Sequence, residues 1–128
     1  MTEGQKVYYG RFVKFAVNCA RVVAKFDWRV PGNREWGSQL IRFSGSVCAN
    51  YIEAVEGLSD ADFIYRYRIC CKESNESVNW LFLLKSINEE EFYDELLKLI
   101  KEGLEFSKMF KKSIDTKKKN IEKKKNNK

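Results

Sequence analysis

The stretch from Ser38 to Phe63 constrains the fold of this chain most, because it predicts two helices joined by a very short turn. Apolar or small residues recur along its first part at helical spacing: Leu40, Ile41, Ser44, Val47, Cys48, Tyr51, Ile52 and Val55. Gly57 suits the left-handed backbone that follows many helix ends, and Ser59 with Asp62 is typical of a capped helix start. Two helices joined so closely must pack antiparallel. The stretch therefore predicts a helical hairpin that the remaining chain covers.

The rest of the chain also favours long helices, since it holds a single proline and only seven glycines. Periodic apolar positions predict four helices, over residues 6–26, 35–56, 60–86 and 89–114. The Pro31-Gly32 segment is the one substantial loop. We therefore predict one all-α domain over residues 1–116, an antiparallel up-down-up-down four-helix bundle. Residues 117–128 hold too little apolar surface to fold alone, so we predict a lysine-rich disordered tail or a frayed helix end.

Neither a membrane segment nor a metal-binding cysteine motif is evident in the sequence. No run approaches the ~20 apolar residues that span a bilayer, and the N-terminus has no signal-peptide pattern. We therefore expect a cytoplasmic protein without a membrane partner. The four cysteines, Cys19, Cys48, Cys70 and Cys71, lack Cys-x-x-Cys spacing, which indicates buried thiols that act as small apolar side chains. A disulfide or a zinc site is the less favoured alternative.

The formal net charge of +6 is distributed unevenly along the chain. Residues 111–128 hold nine lysines and two acidic residues, so the preceding 110 residues carry a net charge of −1. Within those, residues 1–52 carry +5 and residues 53–110 carry −6. The division suggests that the basic half of one subunit contacts the acidic half of the next, a heterologous contact that closes into a ring.

Basic side chains on the first helix and in the tail are the candidates for nucleic-acid contact, because clustered Lys and Arg attract phosphates without a fixed motif. They are Arg11, Lys14, Arg21 and Lys25 on the helix, and Lys117, Lys118, Lys119, Lys123, Lys124 and Lys125 in the tail. A charge run is more often a solvated face, but a ring would repeat these groups in every subunit and add avidity. Nothing resembles a helix-turn-helix, a zinc finger or an RNA-stacking sheet.

Three segments of the two middle helices carry a family resemblance. They are Ser46-Val-Cys-Ala-Asn-Tyr-Ile-Glu53, Ser59-x-x-x-Phe63 and Arg68–Leu81. They resemble the signature of bacterial four-helix bundle proteins named for open reading frames in 23S rRNA intervening sequences. The similarity covers about residues 6–114 and is loose at both ends. Cys48 departs from the family pattern, which has proline there, and Ala54-Val55-Glu56 stands where a glycine-rich turn often begins.

The resemblance implies an antiparallel four-helix bundle that assembles into a ring, commonly a pentamer. It also implies kinship in fold with the accessory protein of diversity-generating retroelements, a basic ring that works with a reverse transcriptase and nucleic acid. The family has no established enzymatic activity. The implied partners are therefore further copies of the chain, RNA or DNA, and a reverse transcriptase or another protein.

Catalysis would have to rest on carboxylates, because the chain has no histidine. Glu53 with Glu56 and Glu73 with Glu76 form two pairs at helical spacing, similar to the metal-binding pairs of all-α nucleotide pyrophosphatases. The second pair lies roughly 24 Å along the third helix from the turn, at ~1.5 Å per residue, which argues against one shared site. We predict no enzyme and no cofactor, with a pyrophosphatase as the remote alternative.

Glu53 matches the family's glutamate and is predicted to form a structural ion pair with Arg66 or Arg68, across the hairpin or between subunits. Together these observations favour a non-enzymatic, ring-forming bundle that acts as a nucleic-acid-binding scaffold or accessory factor. The alternative is a protein-interaction or structural oligomer that binds no nucleic acid and whose basic tail only aids solubility.

Overall fold

The computed structural model describes residues 1–127, which form four long helices. They are α1 (Glu3–Val23), α2 (Pro31–Val55), α3 (Asp60–Ile87) and α4 (Tyr93–Asn126), with a 3₁₀ turn at Glu90–Phe92 before α4. No strand occurs within these residues, so the all-α prediction is confirmed. None of the helices described is long and apolar enough to cross a membrane.

The helices form an antiparallel up-down-up-down bundle, as predicted. Between α2 and α3, the start of one helix contacts the end of the other: Asn33 bonds to Asn88, and Asn50 bonds to Arg66. The same holds between α3 and α4, where Asp60 contacts Lys117 and Cys71 contacts Ser107. α1 packs between α2 and α4, where Phe12 contacts Tyr51 and Phe110 and Phe26 contacts Phe92. Each helix therefore has two neighbours around a shared core.

Two helices begin earlier than predicted, for local reasons. Thr2 and Gln5 form a capping box that starts α1 at Glu3. α2 begins at Pro31 because the fixed φ and the missing N–H of proline suit the first helical position. The Pro-Gly segment predicted as a loop is thus the first turn of a helix.

The turn between α2 and α3 is partly as predicted. The hydroxyl of Ser59 accepts a hydrogen bond from the backbone N–H of Asp62 at 3.1 Å, which confirms the predicted cap. The left-handed backbone predicted at Gly57 is wrong, because no glycine of residues 1–127 has a positive φ. A Cβ at Gly57 would instead lie 2.7 Å from a carboxylate oxygen of Asp62 and 3.0 Å from the carbonyl oxygen of Ala54. A larger residue there would displace the Asp62 side chain and press on the Ala54 carbonyl, so the close approach favours glycine.

Of the two alternatives predicted for residues 117–128, a disordered tail or a helix end, the structure has a helix, since α4 continues to Asn126; Lys128 lies outside the described residues. The ammonium of Lys117 lies 2.9 Å from Asp60 and 5.0 Å from the ring centroid of Phe63, which fixes this part of α4 to the start of α3. Ile121 continues the apolar stripe of the helix and is half-buried. The basic segment is therefore a helical extension of the bundle.

α4 packs on its two neighbours at different distances. Against α3, a Cβ at Gly103 would lie only 2.6 Å from Cγ2 of Val78, so the two backbones approach closely. Against α1, the rings of Phe12 and Phe106 fill the space, with centroids 4.8 Å apart in an edge-to-face arrangement. The wider α1–α4 seam leaves room for long charged side chains along its rim.

The four cysteines are free thiols in the bundle interior, as predicted. Cys19 and Cys70 are fully buried, Cys71 is nearly so, and Cys48 is half-buried. Burial raises the pKa of Cys19 and of Cys70 to about 12. Cys19 and Cys70 are therefore protonated at neutral pH, and the buried cysteines pack as small apolar groups.

Candidate nucleic-acid interface

Two of the four basic residues predicted for nucleic-acid contact on α1 are engaged by glutamates of α4. The guanidinium of Arg11 donates to Glu102 and, at 3.1 Å, to Glu105. The ammonium of Lys25 lies 3.1 and 3.0 Å from the two carboxylate oxygens of Glu95. The hydrogen bond to Glu102 raises the pKa of Arg11. These two cations stabilise the α1–α4 seam and are poor phosphate ligands.

Lys14 and Arg21, the other two candidates on α1, are exposed. Among the described residues, neither has a carboxylate within 4.0 Å. Their spacing places them on the same side of α1 as Lys25. Their charges are therefore available at the edge of the α1–α4 seam.

Six lysines share the outward face of α4, and we call them the lysine ridge. They are Lys98, Lys101, Lys108, Lys112, Lys119 and Lys123. All six are exposed, and none is within 4.0 Å of a carboxylate of residues 1–127. Successive members are three, four or seven residues apart, which keeps them on one helical face. The ridge spans about 37 Å at ~1.5 Å per residue.

The tail lysines divide into an anchored residue and an exposed group. Lys117 is held by Asp60, and this contact lowers the pKa of the Asp60 carboxyl. Lys118, Lys119, Lys123, Lys124 and Lys125 are exposed on the last turns of α4. Because the segment is helical, Lys119 and Lys123 continue the ridge, whereas Lys118, Lys124 and Lys125 lie on other sides of α4. The structure thus joins two of the tail lysines to a longer basic surface.

The sequence did not reveal the first four ridge members as binding candidates. Residues 53–110 carry a net negative charge, which concealed Lys98, Lys101 and Lys108 among the glutamates of α4. The available signal was helical phase, since Lys98, Lys101, Lys108 and Lys112 share one face of a single helix.

The fold and the sequence agree on one family. The model of the 23S rRNA-intervening sequence proteins matches residues 7–122. The chain belongs to this family. A solved structure of a protein with unknown function from the S23 ribosomal protein family of Bacteroides thetaiotaomicron is similar, with a TM-score of 0.70 and 25% sequence identity over 87% of this chain and 97% of that chain. No curated protein matches the present chain in sequence.

The ion pair predicted from the family signature does not form within this 23S rRNA-intervening sequence protein. Glu53 is exposed and has no cation within 4.0 Å among the described residues. Arg66 instead donates to Asn50 at 3.3 Å and lies 4.0 Å from Asp62, while Arg68 is exposed. Asp62 lies one turn before Arg66 on α3, and among the described residues it has the only carboxylate within 4.0 Å of that guanidinium. A pair of Glu53 with a neighbouring subunit stays a prediction.

The two carboxylate pairs are not brought together in this family member. Glu73 lies opposite Ser46 across the α2–α3 seam, two turns away from Glu53. Burial raises the pKa of Glu73, and one of its carboxylate oxygens is buried without a hydrogen-bond partner. Within residues 1–127, no group of three or more Cys, Asp or Glu side chains is arranged to hold a metal ion.

Proposed function

We propose that this 23S rRNA-intervening sequence protein is a cytoplasmic, non-enzymatic scaffold or accessory factor that binds RNA or DNA through the lysine ridge. The observation that carries the proposal is that some basic side chains are paired with carboxylates and others are not. Arg11 and Lys25 are held by glutamates, whereas all six ridge lysines are exposed and without a carboxylate within 4.0 Å among the described residues. Lysines without such partners can replace the counterions of a nucleic-acid backbone, which favours binding by ion release.

The dimensions of the ridge support a backbone contact. Its length of about 37 Å at ~1.5 Å per residue is close to one turn of B-form DNA, about 34–36 Å. A straight row of flexible ammonium groups contacts phosphates and does not read base edges. The expected binding is therefore strong in low salt and largely independent of sequence. Lys14 and Arg21 add a second, shorter row beside it.

Assembly into a ring, commonly a pentamer in the family, is part of the proposal. Two apolar side chains of α1 and α2 are exposed away from the basic row of α1, namely Val17 and Ile41. A Cβ at Gly45 would meet nothing within 4 Å, so no contact within the chain explains this mid-helix glycine. A neighbouring subunit on this face would bury the apolar groups and repeat the ridge around the ring, which multiplies its affinity.

The test compares two variants with equal loss of charge. The ridge variant changes Lys101, Lys108, Lys112 and Lys119 to glutamine, and the control changes Arg29, Arg34, Arg42 and Lys85 to glutamine. Binding is measured by fluorescence anisotropy against a duplex of about 20 base pairs, two helical turns, over a range of salt concentrations. We expect the ridge variant to bind roughly a hundredfold more weakly. The slope of log K against log salt concentration should become shallower by about 3.6, which is about 0.9 for each lysine removed.

The control variant is expected to bind within about threefold of the natural chain, because its four residues lie away from α4's outer face. Equal losses in both variants would show a general charge effect and overturn the assignment of the ridge. Absence of binding by the natural chain would favour the second candidate, an oligomer that contacts only protein. That candidate is favoured by the exposed apolar face of α1 and α2, and a partner such as a reverse transcriptase would then dock on protein alone.

A further inference from the structure

An open groove lies between α3 and α4 and takes no part in the lysine ridge. Its volume is about 570 Å³, which is within the usual range for small-molecule sites. Arg68 and Lys72 line it from α3, and Lys111 lines it from α4. None of the three has a carboxylate within 4.0 Å among the described residues. The groove therefore presents three available cations.

The charges along the groove are arranged in an order that the antiparallel packing fixes. Glu76 lies one turn beyond Lys72 on α3, and Asp115 lies one turn beyond Lys111 on α4. Because α3 and α4 run in opposite directions, these two acids lie at opposite ends of the groove. The cations lie between them, so the centre of the groove attracts an anion while its ends accept hydrogen bonds.

The floor of the groove is apolar. Cys71 and Ile114 line it and are only 8% and 7% exposed. The thiol of Cys71 lies 3.6 Å from the carbonyl oxygen of Ser107, so its hydrogen-bonding capacity faces α4 and not the groove. An apolar floor below a cationic rim suits a flat ring that carries a phosphate.

Two exposed aromatic side chains lie on α3, one beside the cations and one beyond Glu76. Tyr65 lies one turn before Arg68 and is 58% exposed, and Phe82 lies two turns after Asn75 and is 50% exposed. Such large exposed rings are costly to leave in water. Aromatic faces that alternate with a basic groove are typical of proteins that stack the bases of single-stranded nucleic acid.

We propose that the α3–α4 groove binds a nucleotide of single-stranded RNA or DNA, with a phosphate on Arg68, Lys72 and Lys111 and the base over Cys71 and Ile114. A neighbouring base stacks on Tyr65. This inference rests on the proposed function and adds to it a preference for single strands, because the bases of a duplex are stacked inside and cannot enter the groove.

The first experiment uses a nucleoside 5′-monophosphate as probe and records amide chemical shifts of the full chain by NMR. We expect saturable shifts confined to the residues around Arg68, Lys72 and Lys111, with weaker shifts for inorganic phosphate and none for the nucleoside. Shifts spread evenly over all exposed lysines, or no shifts, would overturn the groove as a nucleotide site. Mononucleotides are too short to gain affinity from the ridge, so this result does not depend on it.

The second experiment separates the groove from the ridge. Tyr65→Ala and a double variant, Arg68→Gln with Lys72→Gln, are the two groove variants. The control is Arg34→Gln with Arg42→Gln, which loses the same charge as the double variant at residues outside both the groove and the ridge. We expect each groove variant to lose about tenfold in affinity for a single-stranded oligonucleotide and less than about twofold for a duplex. Equal losses on both substrates, or none, would refute the groove while leaving the ridge intact. Circular dichroism confirms that each variant is folded.

Discussion

α4 carries two sets of charged residues that differ in their availability. Glu95, Glu102 and Glu105 are joined to Lys25 and Arg11 of α1. The six lysines of the ridge have no carboxylate within 4.0 Å among the described residues, although Lys98, Lys101 and Lys108 lie three or four residues from one of those glutamates. The difference shows that a neighbouring helix, and not the local sequence, decides which charges remain free for a ligand.

Charge reversal at Glu102 and Glu105 tests this comparison most severely. Changing both to lysine should extend the free cationic surface into the seam and repel Arg11. We expect affinity for duplex DNA to rise about tenfold in low salt, with a salt slope steeper by about 1.8, and the free energy of unfolding to fall. Anisotropy and urea denaturation measure the two effects. Unchanged affinity would show that the seam is out of reach of the nucleic acid.

Replacing Arg11 with methionine removes the pairing cation and keeps much of its apolar volume. We expect the free energy of unfolding to fall by about 1 kcal/mol, since the pair is only partly screened by solvent. Affinity for nucleic acid should stay within about twofold, because Arg11 is already engaged. Lys14→Met is the matched control, and its stability should change by less than about 0.5 kcal/mol. Equal effects at both positions would contradict the assignment.

Glu73 is a third case, since it is neither paired like Glu102 nor freely solvated. Burial raises its pKa above the ordinary value of 4.5, so the folded chain binds a proton more readily than the unfolded chain. The ionised group is therefore destabilising at neutral pH, and this cost is relieved as the pH falls through the raised pKa. Glu73→Gln should stabilise the protein by about 0.5 kcal/mol at neutral pH, and the difference should disappear in acid.

The measurement for Glu73 is a series of urea denaturation curves between neutral and acidic pH. Glu76→Gln is the control, because it removes the same charge one turn further along α3 from a carboxylate with no buried oxygen that lacks a hydrogen-bond partner. If Glu73→Gln were less stable than the natural chain at neutral pH, Ser46 or Arg42 would be compensating the buried charge of Glu73.

Most of the fold followed from local patterns. Periodicity predicted four helices, and Ser59 with Asp62 predicted the start of α3, because caps and stripes depend on residues within one or two turns. The left-handed backbone predicted at Gly57 was wrong, because the turn there is set by close approach to Asp62 and Ala54. The choice between a disordered and a helical tail depended on a contact between distant residues, since Lys117 of α4 binds Asp60 of α3.

The candidate site followed from the sequence only in part. The chain itself determined its basic content, its lack of histidine and its membership of the 23S rRNA-intervening sequence family. Tertiary structure decided which cations are free, because Arg11 and Glu102 are 91 residues apart and meet only when α1 packs on α4. It also placed Arg68 and Lys72 beside Lys111. Charge is a property of residues, whereas its availability depends on which helices pack together.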